Sequence, residues 1–397
     1  MTASELLDAV SGFAGHHAPA LKRFVPRGQR SKAYAMFYRA LPSAGKTAIF
    51  ARQFRRAADY CERNASPLYA HLLRIAAEDV ETGGPCGVVV DAHRSPARVP
   101  PAAYSQAFMA AVHRVVLETP GSALEPFYPS AGGAVDFARV GPAFLEVVSR
   151  HQERICELLK RPVQLNDVGR CRALLGGFLL VAAQTGLPLR ILEPGASAGL
   201  NLLWDHYRYE VDGATWGDSS SPVRLVGGFV EGRPPLHLRA EVAERRGCDL
   251  RPVDARSSEG RCTLLAHVWA DHLDRIDLLR AAFEVNGQVD ALVERAEASS
   301  WLASQLSAPT PGLATVVFHT GLMEYLEPVV RKRIESTIQG AGARADSRSP
   351  VALLTSVPVA GGDGQLQLTV WPGGRPQPLA VLLDPHAREI RWQGPGG

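Results

Sequence analysis

Long apolar runs are missing from this chain of 397 residues. The longest, around residues 174–183, is too short to cross a bilayer, which excludes a helical membrane anchor. Charge of one sign is also missing: the net charge of +3 is too small to argue for nucleic acid as a partner. The six cysteines (Cys61, Cys86, Cys156, Cys171, Cys248 and Cys262) include no Cys-x-x-Cys pair. Neither a zinc knuckle nor a redox motif is suggested, and no metal site is expected. The opening residues are acidic and carry no signal-peptide apolar core, so a cytoplasmic chain with reduced, mostly buried thiols is expected. What is present is ordinary globular material, 46% hydrophobic and 21% charged, in a length that suits two or three domains.

The chain is organised around residues 189–203. Leu189, Ile191 and Leu192 form a short apolar run after Gly186 and Pro188, which end the preceding helix. Glu193 stands at the expected carboxyl end of that strand. Gly195, Ala196, Ser197, Ala198 and Gly199 then make a small-residue turn, and a helix is expected from about Ala198 with free N–H groups at its start. Three readings fit this stretch. Glu193-x-Gly195-x-x-x-Gly199 is similar to the first motif of class I S-adenosylmethionine (SAM) methyltransferases. Gly195-x-Ser197-x-Gly199 fits the nucleophile elbow of an α/β-hydrolase. The third reading is a strand–helix turn that merely needs small residues.

Residues 1 to about 165 read as mainly helical, with periodic patterns over 43–63, 66–77, 102–117 and 141–159. Ser66 is placed to cap and Pro67 to open the second of these, and Gly83-Gly84-Pro85 to break it. A basic cluster of Lys22, Arg23, Arg27, Arg30 and Lys32 reads as a solvated face rather than a nucleic-acid arm. Residues 162–170 lead into an apolar helix, with Asn166 or Asp167 as its cap; Gln164, Asn166 and Arg170 are candidates to border the loop and touch substrate. A short helix over 200–206 and a hairpin-like insertion over about 207–240 follow. Asp249, at the end of a second strand, is the candidate for holding a ribose. It lies further from Gly199 than the usual ~20 residues, which the insertion accounts for, and Glu210 and Asp212 are its rivals. Residues 264–283 read as one amphipathic helix and 289–298 as a third strand ending at Glu297-Ala298. Residues 314–319 read as a buried fourth strand, 328–340 as a helix and 350–356 as a fifth strand. No helix fits between the runs 365–371, 379–384 and 389–392, which suggests an antiparallel hairpin closing the sheet.

This order resembles the class I SAM-dependent methyltransferase fold over about residues 165–397. It implies a Rossmann-like, mostly parallel α/β sheet, preceded over 1–164 by a helical domain acting as lid, substrate platform or dimer surface. The whole chain more closely resembles a family of uncharacterised bacterial proteins known as a domain of unknown function. The resemblance rests on residues 162–170, 193–203, 205–209, 246–254, Val268-Trp269-Ala270-Asp271, Val316-Val317-Phe318-His319-Thr320 and Trp371-Pro372-Gly373-Gly374. The chain departs from the family pattern at Leu165 and Asp167, at Glu297 where aspartate is usual, and at Met323-Glu324 where Trp-Gln is common. By this resemblance Glu193, Gly195, Ser197, Gly199 and Asn201 surround the methionine part of SAM. Asp249 holds the ribose, and Glu297 and Ala298 meet the adenine. His319 is the candidate base, with Glu324 and Tyr325 orienting a small-molecule hydroxyl or amine. The Asn-Pro-Pro-Tyr type motif of many amino-group methyltransferases is missing, which argues against a nucleobase or glutamine target.

Two rivals remain. A protein of the same fold could bind SAM or another nucleotide, or a partner, without catalysis. An esterase would use Ser197 with a later Asp and His386 or His319, but no His-Gly-Gly segment precedes Ser197, and Glu193 and Asp249 then have no role.

Overall fold

The computed structural model describes residues 43–92, 101–358 and 364–396; the basic cluster at 22–32 lies outside them. The chain forms two compact units, Met1–Leu165 with Cys262–Ile276, and Asn166–Arg261 with Asp277–Gly397.

In the first unit the described chain is helical: α1 (Ser43–Arg63), α2 (Pro67–Thr82), α3 (Pro85–Ala92), α4 (Pro101–Glu118), α5 (Val140–Arg150) and α6 (Gln152–Leu158). The expected helix over 141–159 is thus two, parted at His151. Helical spacing buries Ile49, Phe50, Phe54 and Ala58 of α1 in one core with Leu68, Leu72 and Ala76 of α2. Pro67 opens α2 and Gly83, at φ +76°, closes it. Ser66 does not cap α2 with its side chain. Its Oγ donates to Asp271 Oδ1 (2.7 Å), while Asp271 Oδ2 accepts from the Leu68 N–H (3.0 Å). That role breaks the single helix expected over 264–283 into α8 (Ser258–Ala266) and α9 (Leu273–Gln288). Between them Trp269 and Ala270 are buried in the first unit's core, and the Ala270 carbonyl accepts from the Ser130 N–H (2.9 Å). Helical periodicity at 267–272 is therefore overridden by tertiary bonding.

The second unit is a mixed α/β body. Among the described residues its main sheet is built from nine strands: β1 (Leu189–Pro194), β5 (Phe229–Glu231), β6 (Val242–Asp249), β7 (Leu292–Arg295), β8 (Ala314–His319), β9 (Val351–Pro358), β10 (Gly364–Trp371), β11 (Gln377–Leu382) and β12 (Ile390–Trp392). Their order is β5-β12-β11-β10-β9-β8-β1-β6-β7. The run β7-β6-β1-β8-β9 is parallel throughout. β10, β11 and β12 continue it antiparallel, as the helix-free end of the sequence requires. β1 and β8 are buried at every position, in keeping with the apolar residues Leu189, Ile191 and Leu192 of β1 and Val316, Val317 and Phe318 of β8; β1 also buries Arg190 and Glu193. The expected third strand keeps only its middle, since Ala298 already opens α10 (Ala298–Gln305). The insertion is more than a hairpin: β2 (Arg208–Val211), β3 (Ala214–Gly217) and β4 (Arg224–Val226) form a separate three-stranded sheet. Its continuation, β5, runs parallel to β12 at the far edge of the main sheet.

Each face of the main sheet is covered by helix. Leu302 of α10 and Ile334 and Ile338 of α12 (Pro328–Ala343) pack with Leu192 and Val317. On the other face, Phe178 of α7 (Cys171–Thr185) meets Phe318 edge-on at 5.2 Å. Two glycines let α7 lie close to the strands. A Cβ on Gly176 would sit 2.2 Å from Trp392 Cη2, and one on Gly177 would sit 2.5 Å from Leu354 Cδ1. Alanine at position 176 gains ~1 kcal/mol in helix propensity but overpacks at a cost of ~1–3 kcal/mol. Gly176→Ala is therefore expected to lower stability by ~1 kcal/mol in urea denaturation; a more stable variant would contradict this packing.

Candidate functional site

The candidate site lies along the carboxyl ends of the parallel strands of the second unit. β1 delivers Glu193 and Pro194 to that edge, and the chain then turns through Gly195, Ser197 and Gly199 at φ +73°, +55° and +74°. Left-handed backbone suits glycine at Gly195 and Gly199, where a Cβ would also meet Leu322 Cδ1 and Val293 Cγ2, each at 2.7 Å. Serine at such an angle carries a strain of ~1 kcal/mol.

The loop N–H groups are not free, contrary to the expectation of an open helix start. The Cys248 carbonyl accepts from Gly195 (2.8 Å) and Ala196 (2.9 Å), and the Ala196 carbonyl accepts from Gly199 (2.7 Å). Asp249 Oδ2 accepts from Ser197 (3.1 Å). Asn166 Oδ1 accepts from both Ala198 (3.3 Å) and Leu200 (3.1 Å). The following helix is a 3-10 segment, Leu200–His206, rather than an α-helix.

Glu193 is the most unusual group of the site. It is 3% exposed. Its Oε1 accepts from Asn201 Nδ2 (3.5 Å), and Asn201 Oδ1 accepts from Cys171 Sγ (3.4 Å). Glu193 Oε2 has no hydrogen-bond partner among the described residues. Burial pushes its carboxyl well above the ordinary range; Asn201 opposes that, and the nearby Asp249 adds to it. The Glu193 environment thus favours the protonated carboxyl over the carboxylate, with the Arg170 guanidinium opposing that bias.

Asp249 ends β6 partly exposed. Oδ2 holds the loop while Oδ1 accepts from the Arg251 N–H (2.8 Å), so each oxygen keeps one lone pair. Its rivals lie in the separate three-stranded sheet. There Glu210 pairs with Arg224 and Arg208, each at 2.8 Å, and Asp212 sits in the β2–β3 turn. Glu297 caps α10: its carboxylate accepts from the N–H groups of Ser299 and Ser300 (each 2.9 Å) and from Ser299 Oγ (2.7 Å). Burial pushes this carboxyl up, but those donors outweigh it and hold it below its ordinary value. Ala298 is the first residue of that helix.

On the other side of β1, His319 ends β8. It is 3% exposed, and burial lowers its pKa to about 4, so it is neutral. Thr355 Oγ1 lies 3.0 Å from its Nε2. Glu324 and Tyr325 belong to a short helix, α11 (Leu322–Tyr325); Tyr325 is half exposed, and the Glu324 side chain lies outside the described part. Arg170 donates from Nε to the Pro385 carbonyl (3.1 Å) and from NH1 to the Thr320 carbonyl. Gln164 is buried and falls in the first unit, whereas Asn166 and Arg170 fall in the second.

Two features carry no signal in the sequence. His386 Nδ1 and Asp167 Oδ2 form a buried pair at 2.7 Å across 219 positions. Leu322 lies over Gly195, a contact between residues 127 positions apart in number. Cys171, seen in the sequence only as part of an apolar stripe, joins the site through Asn201.

A family model described as an uncharacterized protein conserved in bacteria, DUF2332, matches residues 51–392. No curated protein and no solved structure matches the chain.

The burial of Glu193 generates a stability prediction. Its native pKa lies above the unfolded value, so the native state binds the extra proton. Its contribution is complete below the ordinary glutamate range and is lost as pH rises towards the native value. Glu193→Gln removes that loss. The variant is expected to match the wild type near pH 4 and to become more stable by up to ~1.4 kcal/mol per pH unit above it, measured by urea denaturation from pH 4 to 8. A pH-independent difference would contradict a carboxyl whose burial raises its pKa.

Proposed function

We propose that this chain, which belongs to the DUF2332 family of bacterial proteins, is a SAM-dependent methyltransferase acting on a small-molecule hydroxyl or amine. The observation that carries the proposal is the placing of acids at the ends of adjacent parallel strands. Glu193 is the penultimate residue of β1, Asp249 closes β6 beside it and Glu297 follows β7 beside that. On this reading Asp249 accepts from the two ribose hydroxyls with its remaining lone pairs. Glu193 Oε2, buried without a partner among the described residues, accepts from the ammonium of the methionine part, whose positive charge favours the carboxylate, the carboxyl's proton passing to solvent as the ligand binds. Asn201 steadies it through Oε1. Glu297 and the first N–H of α10 meet the adenine edge.

The fit also has a requirement. Leu322 covers Gly195, and Asn166 occupies the N–H groups of Ala198 and Leu200, so a ligand reaching the loop needs those side chains to give way. SAM supplies an activated methyl group on a sulfonium. The protein's task is then to align the acceptor, exclude water and remove a proton where the acceptor carries one. His319 is the base in this proposal. Its low pKa keeps the imidazole neutral and able to accept at physiological pH, and Thr355 fixes its ring.

One observation favours a non-catalytic binder of the same ligand: His319 is enclosed, and among the described residues no carboxylate pairs with it to stabilise its charged form. The two readings part on whether bound SAM is converted to S-adenosylhomocysteine.

Calorimetric titration with SAM and S-adenosylhomocysteine tests the shared claim. Micromolar binding is expected, weakened at least ~100-fold, or ~2.7 kcal/mol, by Asp249→Ala. Absence of binding by ligand-free wild-type protein would overturn both readings and turn attention to Ser197 with acyl-enzyme probes.

A further inference from the structure

Resting on that cofactor reading, we infer that residues 166–170 form a strap that holds the loop closed and must lift for ligand to enter. The strap's only regular structure is a three-residue 3-10 turn, Val168–Arg170, capped by Asp167 accepting from the Gly169 N–H (3.2 Å). It is fixed by side chains that reach three different places on the same edge of the sheet. Asn166 Oδ1 takes the Ala198 and Leu200 N–H groups of the loop after β1. Arg170 reaches the Thr320 carbonyl just after β8 and the Pro385 carbonyl after β11. Asp167 Oδ2 pairs with His386 Nδ1 at 2.7 Å, also after β11. Asn166, Asp167 and His386 are all buried.

The bonds of Asn166 to the loop are those of a neutral amide, worth ~0.5–1.5 kcal/mol each, so a ligand can displace them at modest cost. The Arg170 and Asp167 anchors grip groups outside the loop. They set how readily Asn166 leaves. The fraction of molecules with the strap lifted then multiplies directly into the apparent affinity. Asn166 in the covering position and a ligand on the loop exclude each other, which makes the strap an internal competitor.

The test uses two variants that loosen an anchor and leave the loop's own bonds intact. His386→Ala removes the Nδ1 group that pairs with Asp167 Oδ2. Arg170→Gln frees the Thr320 and Pro385 carbonyls and keeps the buried Asp167–His386 pair, so it serves if the first variant does not fold. Native-state amide exchange at Ala198 and Leu200 is read first, without ligand. Exchange at least ~10-fold faster than wild type is expected, with the Cys248-bonded Gly195 and Ala196 unchanged. Titration with S-adenosylhomocysteine is read second, with ~10-fold tighter binding expected in the loosened variant. Unchanged exchange at Ala198 and Leu200 overturns the strap. So does weaker S-adenosylhomocysteine binding, which would make the segment part of the seat rather than its cover. Faster exchange with no S-adenosylhomocysteine binding by any form keeps the strap and overturns the cofactor reading.

Discussion

Six consecutive backbone N–H groups, from Gly195 to Leu200, have no place in a strand or a regular helix, and each has found an acceptor. Buried N–H groups left unpaired are costly, so this requirement shapes the whole edge of the sheet. It draws the end of β6 against the turn through the Cys248 carbonyl and the Asp249 carboxylate. It also brings Asn166, from before α7, over the far side of the same turn. Once Asn166 is there, Asp167 and Arg170 follow it to the ends of β8 and β11. The candidate site is thus assembled from segments far apart in the chain by one local shortage of hydrogen-bond acceptors.

The same edge holds groups that folding alone does not favour. A carboxyl is buried at Glu193 with one oxygen unpaired among the described residues, and a serine is bent into left-handed backbone at position 197. A chain selected for stability alone has cheaper residues for both positions. Strain and unsatisfied polarity gathered within five residues, at the carboxyl end of a central parallel strand, point to a function for this edge. By contrast the faces of the sheet are ordinary, with Leu192, Val317, Phe178 and Phe318 packed as apolar periodicity requires.

Much of the architecture was legible in the sequence. The family expectation is borne out by the match over residues 51–392. The buried strands at 189–194 and 314–319 follow from apolar residues and the antiparallel end of the sheet from connections too short for a helix, while the acid at the end of β6 follows from the chemistry a ribose needs rather than from an apolar run. The errors have a common physical origin in long-range bonds. Residues 264–283 have helical periodicity, but Asp271 is needed as a cap for α2 and the helix gives way there. The loop has the composition of an open ligand turn, but Asp249 and Asn166 come from other parts of the chain to close it. The pairing of Asp167 with His386 spans 219 positions and has no local pattern to announce it.

The central claim is that the turn after β1 is a ligand loop now closed by the protein's own side chains. A crystal structure grown with S-adenosylhomocysteine tests it most directly. The account predicts the ribose against Asp249, the amino group against Glu193 Oε2, and Asn166 withdrawn from Ala198 and Leu200. Ligand bound elsewhere, or the loop unchanged and empty at saturating ligand, would contradict it.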